Sequence, residues 1–140
     1  MKTTIKSIDQ FNQLATYYLQ KNTADTKLNY ALKKVQKQCE PVLGAYNSDL
    51  QDIAINNASV DEKGNLVHVK NEVSGAIIDY KYTKEAAIKR KNESKDLYNV
   101  EKDYPITPHI LRDLPADLAE EQIEIFAGFV MEPIIDIEPV

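Results

Sequence analysis

The sequence predicts a mainly α fold with a small β element (α+β). A long kinked helix is expected to pack in an antiparallel helical bundle, with a short β-hairpin or three-stranded sheet after it. Three observations predict this. Between Thr26 and Asn57, Leu28, Leu32, Val35, Cys39, Val42, Tyr46 and Ile53 recur at spacings of four, three, four, three and four, then seven. That is the rhythm of a helix seam facing another helix. Glycine is scarce, at four residues, whereas barrels and sandwiches commonly use it at turns. Between about residues 59 and 82 the period changes from helical to alternating. The 140 residues suit one domain, with the β insertion at about 59–82 and an extended tail at about 133–140.

Ser7 and Gln10 have the spacing of a capping box, so Ser7 is expected to open the first helix. Ile8, Phe11, Leu14, Ala15 and Tyr18 then share a face, and the helix should end near Lys21-Asn22. Thr23 to Thr26 is rich in capping residues and reads as a joint. The long helix should reach roughly 48 Å at 1.5 Å per residue. Pro41 lies inside it and removes a hydrogen bond to Lys37, at about 3 kcal/mol. Pro41 and Gly44 fall away from the seam, on the side where a bend is tolerated. A bend is therefore expected, with helix on both sides; a break into two helices is the alternative.

After Asn57, Asp61-Glu62-Lys63-Gly64-Asn65 separates two β-prone runs ending at Val69, a hairpin signal. Ile78, Tyr80 and Tyr82 alternate with Asp79 and Lys81 as a half-buried strand. Thr83 should cap a third, very polar helix through about Asn99. Its thin packing stripe is expected to be Ala87, Ile88, the Lys91 stem, Leu97 and Tyr98. Pro105, Pro108 and Pro115 mark a connector. Pro115 suits the first turn of a last helix. Leu118, Ile123, Phe126, Phe129 and Val130 are its expected apolar side, and Pro133 its end.

The net charge is -5, unevenly spread. Residues 81–102 carry seven Lys/Arg and four acids, while residues 103–140 carry Arg112 and nine acids. The acidic end argues against nucleic acid as a partner of the whole protein. A single cysteine, Cys39, excludes an intrachain disulfide framework. No signal peptide or run of about 18 apolar residues is present, so a reducing, cytoplasmic setting is expected.

Candidate chemical residues are sparse. His68, His109 and Cys39 are isolated in the sequence and do not form a zinc set; Cys39 is expected to be a buried, unreactive thiol. No glycine-rich phosphate loop exists, and no cofactor is expected. Lys84, Lys89, Arg90, Lys91 and Lys95 form a basic docking face, its ordinary reading being a solvated helix side. Glu120, Glu121 and Glu124 suit a helix start electrostatically. Ile134, Ile135, Ile137 and Val140 give the tail apolar side chains for a protein partner, with Asp136 and Glu138 keeping it soluble.

Lys27-Leu28-Asn29-Tyr30-Ala31-Leu32-Lys33-Lys34, the turn Asp61 to Asn65, the segment Leu114-Pro115-Ala116-Asp117-Leu118, Phe126 and Glu132-Pro133-Ile134-Ile135 resemble a family of small helical proteins encoded by tailed bacteriophages and prophages. The likeness covers roughly residues 26–137 and offers no catalytic residues to carry over. It implies a phage-encoded helical protein made with head or tail genes. The function expected is a non-enzymatic virion component or assembly adaptor in the host cytoplasm or the particle. It would contact itself or other phage proteins, without membrane or small-molecule substrate. The alternative is a phage-encoded inhibitor or regulator of a host protein.

Overall fold

The computed structural model describes residues 1–115 and 117–134. In order the chain forms β1 (Lys2–Thr3), α1 (Ile5–Lys21), α2 (Lys27–Asn57), β2 (His68–Lys70), β3 (Ile77–Tyr80), α3 (Lys84–Asn99), β4 (Lys102–Asp103) and α4 (Glu120–Phe126). The fold is mainly α with two two-stranded antiparallel sheets, β1–β4 and β2–β3. It divides into two compact units, Met1–Gly44 with the described part of Glu101–Val140, and Ala45–Val100.

In the first unit α1 and the start of α2 form an antiparallel pair. The Gln36 Nε2 donates to Asn12 O and Thr16 Oγ1. At the joint, the buried Asn29 donates through Nδ2 to Asn22 O and Ala24 O, both at 2.6 Å. Thr26 caps α2 by accepting from Asn29 N–H, which satisfies one of the four free donors at a helix start. Leu28, Leu32, Val35, Cys39 and Val42 are all buried, while Lys33, Lys34, Lys37, Pro41 and Gly44 are exposed. Helix continues on both sides of Pro41. The proline sits where water can replace its lost hydrogen bond.

Ile5, Ile8, Phe11 and Ala15 of α1 are buried, and α1 packs on α4. Phe11 stacks on Phe129 at 4.5 Å and meets Phe126 edge-on at 5.8 Å. Tyr18 meets Phe126 at 6.4 Å. The proline connector is fixed to α2 by Gln38, whose side chain accepts from Thr107 N–H and donates to Thr107 O. Beyond it, His109 N–H and Leu111 N–H donate to Phe129 O and Val130 O. Pairing of β1 with β4 is reinforced by the Met1 ammonium, which donates to Asp103 Oδ1 and Tyr104 O. That contact holds the Asp103 carboxyl below the usual range.

Four expectations are corrected. Thr4, not Ser7, caps α1: its Oγ1 accepts from Ser7 N–H at 3.1 Å, because Ile5 already belongs to the buried face. The last helix starts at Glu120 and stops at Phe126. Gly128 there takes φ +84°, a left-handed turn that ends the helix and brings Ala127 beside Met131. The Asp61–Asn65 turn forms, but closes only one bridge, Val60 with Leu66. The main hairpin lies one turn later, in β2–β3. The packing side of α3 is also rotated from the one expected, as described below.

Candidate interaction surface

Unit Ala45–Val100 is built from the second half of α2, the β2–β3 hairpin and α3. Its two turns share one device. Asp61 Oδ1 accepts from Lys63 N–H and Asn65 N–H, and Asn71 Oδ1 accepts from Val73 N–H and Ser74 N–H. Each turn then uses a glycine at positive φ, Gly64 at +82° and Gly75 at +69°, as Asx-initiated turns allow. The amide bonds from Asn65 and Lys63 hold the Asp61 carboxyl below its ordinary value.

In the hairpin His68 faces Tyr80 and Val69 faces Asp79, with an irregularity before Lys70. Lys81 N–H donates to Val67 O, so by antiparallel alternation the Tyr80 amide points away from β2. Asp79 Oδ1 takes that amide at 2.7 Å. A carboxylate thus occupies a donor that another strand would need, a usual way of blunting a sheet edge. What the hairpin offers a partner is side chains. Val69, Val73, Ile77 and Ile78 are exposed, Val73 at 97 % and Ile78 at 63 %. Ala54 is the one buried core residue of this unit.

Helix α3 has no buried residue. Thr83 caps it through Ala86 N–H, as expected. Its half-buried positions are Ala86, Arg90, Glu93, Ser94, Leu97 and Tyr98; Ala87, Ile88 and Lys91 are exposed. The rotation follows from Arg90. Its Nη1 reaches Asp79 Oδ2 at 3.3 Å, and its guanidinium covers the Tyr82 ring at 4.8 Å. Arg is suited to this double role because its planar head pairs and stacks at once. Arg90 therefore leaves the predicted basic docking face. Asn57 Nδ2 donates to Glu93 Oε1, and Tyr46 lies 5.9 Å from Tyr98, so α3 runs antiparallel to the end of α2. The Tyr82 hydroxyl is closed off from solvent without a partner at hydrogen-bonding geometry. Its pKa is raised, chiefly by burial, with Arg90 pulling the other way.

The other predicted basic residues stay in solvent. Lys89 reaches Glu93 at 4.0 Å, an exposed pair of small worth. Lys84, Lys91 and Lys95 carry no ion pair among the described residues. Ile134 is 58 % exposed; Ile135, Ile137 and Val140 lie outside the described residues. No protein-family model, curated protein or solved structure matches this chain.

The isolated candidates stay apart. His68 packs on Tyr80 at 5.1 Å, and Tyr80 accepts from Gln51 at 3.0 Å. His109 lies edge-on to Tyr30 at 5.7 Å, beside an open cleft of about 310 Å³ lined by Asp25, Thr26, Lys27 and Leu111. Cys39 is fully buried, and desolvation, with Glu40 adding to it, pushes its thiol up to about 11. Such a thiol is a poor nucleophile at neutral pH. Among the described residues no group of three or more His, Cys, Asp or Glu is placed to hold a metal ion. No described helix is long and apolar enough to cross a membrane. The exposed hairpin aliphatics were the surface that sequence reading missed. Their signal was present, since Val69-Lys70 and Ile77-Ile78 flank Asn71-Glu72-Val73-Ser74-Gly75, an Asx-to-Gly turn carrying valine at its tip.

Proposed function

We propose that this chain is a non-enzymatic structural or assembly protein of a tailed-phage particle, a virion component or an assembly adaptor, that acts through protein–protein contacts. The contact reading is supported by one observation above all. The unit Ala45–Val100 buries a single core residue, Ala54, while Val69, Val73, Ile77, Ile78 and Ile88 face water. Burying each such aliphatic is worth about 1.5–3 kcal/mol, and grouped apolar exposure on one element marks an interaction surface. The phage setting is supported by the sequence resemblance.

Quantitative mass spectrometry of purified particles tests this reading. The protein is expected in particles at a fixed ratio to a head or tail protein. Its absence from particles, together with a single stoichiometric host protein in pull-downs from infected cells, would overturn the reading in favour of a host-directed inhibitor.

A further inference from the structure

One edge of the β1–β4 sheet is unpaired, and the closing segment of the chain leaves from beside it. The Met1 ammonium donates to Tyr104 O, and Tyr104 N–H donates to Met1 O. Met1 and Tyr104 are therefore a hydrogen-bonded pair, and the next pair, Lys2 with Asp103, is a non-hydrogen-bonded one. By that alternation the Lys2 N–H and C=O point away from β4. Among the described residues no backbone group pairs with either. Such an edge is a template for one more strand.

A cleft of about 470 Å³ lies beside this edge. Met1, Lys2 and Thr3 line it, and neither residue of β4 does. Ile125 and Phe129 supply apolar wall, and Pro133 lines it too, so the chain runs toward residues 135–140 from the cleft itself. Ile134 to Glu138 reads Ile-Ile-Asp-Ile-Glu. In an extended segment Ile135 and Ile137 share one side, and Ile134, Asp136 and Glu138 the other. Ile134 is 58 % exposed, which suits the side turned to water. Pro139 has no N–H to donate, and an edge strand tolerates that. Charge does not select the occupant, because Lys2 and Glu124 both line the cleft.

We propose that residues 135–138 add to the free edge of β1 in the same chain as a third strand, with Ile135 and Ile137 over the cleft. The Lys2 N–H and C=O are the backbone groups that receive it. The occupant is the chain's own segment because Pro133 already lines the cleft, so the strand begins next to the edge it joins and loses no freedom to association. The tail, expected to reach a protein partner, instead closes the sheet of its own unit. A closed edge also removes a site of edge-to-edge pairing. This goes beyond the particle reading and does not depend on it.

Amide hydrogen exchange followed by NMR on the full chain tests the proposal. The Lys2 amide should exchange about tenfold or more slowly than in a chain truncated after Ile134, at every protein concentration. The Tyr104 amide, bonded to Met1 O, reports whether the β1–β4 pair is intact and should be unchanged. If truncation disturbs that control, Ile135→Ser with Ile137→Ser in the full chain replaces it, and should speed Lys2 exchange while leaving Tyr104 alone. Equal Lys2 exchange in the full chain and the altered one would overturn the proposal. So would Lys2 protection that grows with protein concentration and sedimenting mass, since the strand would then come from a second copy.

Discussion

Replacing Phe11 by alanine removes the ring around which the first unit is assembled. Phe11 is fully buried and touches two other rings, stacked on Phe129 at 4.5 Å and edge-on to Phe126 at 5.8 Å. Emptying a buried phenylalanine site costs about 3–5 kcal/mol. Two aromatic contacts, each worth about 0.5–1.5 kcal/mol beyond buried area, place this site in the upper part of that range. The three rings come from α1, from α4 and from the Gly128 turn. Loss of Phe11 therefore loosens the closing segment as well as α1. Urea unfolding followed by circular dichroism suits the assay, since the chain has no tryptophan. The midpoint should fall steeply with little change in slope. A loss below about 0.5 kcal/mol is what surface substitutions give, and it would refute the aromatic cluster as the centre of this unit.

Three further outcomes follow from the packing. Leu32→Ala should cost about 2–5 kcal/mol, while Lys33→Ala, exposed beside it, should stay within about 0.5 kcal/mol; comparable losses would contradict the seam. Arg90→Ala should cost about 1 kcal/mol, through loss of its part-exposed Asp79 pair and its stacking on Tyr82, while Lys91→Ala leaves unfolding unchanged; the reverse order would contradict the rotation of α3. Cys39 keeps its proton up to about 11 when folded, against an ordinary thiol value of 9.0. Its contribution is therefore full below the unfolded pKa and is lost as pH rises toward the folded one. Stability should drop by an amount on the order of 2–3 kcal/mol more in wild type than in Cys39→Ala across that window; parallel pH profiles would refute the burial of the thiol.

The elements legible in the sequence were those with repeated local signals. The seam from Leu28 to Val42 repeats over four turns of helix, and the structure buries each of its members. Past Pro41 the rhythm weakens: Tyr46 and Ile53 are half-buried, and Ala54 takes the buried position. Thr83 announced α3, but the helix is so polar that its phase was set by one tertiary partner, Asp79, that no spacing rule reveals. Phe126, Phe129 and Val130 have helical spacing although the helix ends at Phe126. There Gly128 was the better signal, since only glycine readily takes its φ of +84°. The β1–β4 pair joins residues about a hundred positions apart through two residues a side, too short for any pattern to register. The basic run was legible as charge, but not the departure of Arg90 from it. The aliphatic hairpin surface is masked in the sequence by the more polar Asp61–Asn65 turn, which carries the stronger hairpin signal.

Loading of a hairpin variant into particles tests the central claim most directly. Val73→Ser, Ile77→Ser and Ile78→Ser change exposed residues only, so the combined variant should fold as wild type does. Supplied in place of the native protein during infection, it should be depleted from purified particles about tenfold or more, as loss of an apolar contact centre would give. Loading equal to wild type, with the same circular-dichroism spectrum, would contradict the account.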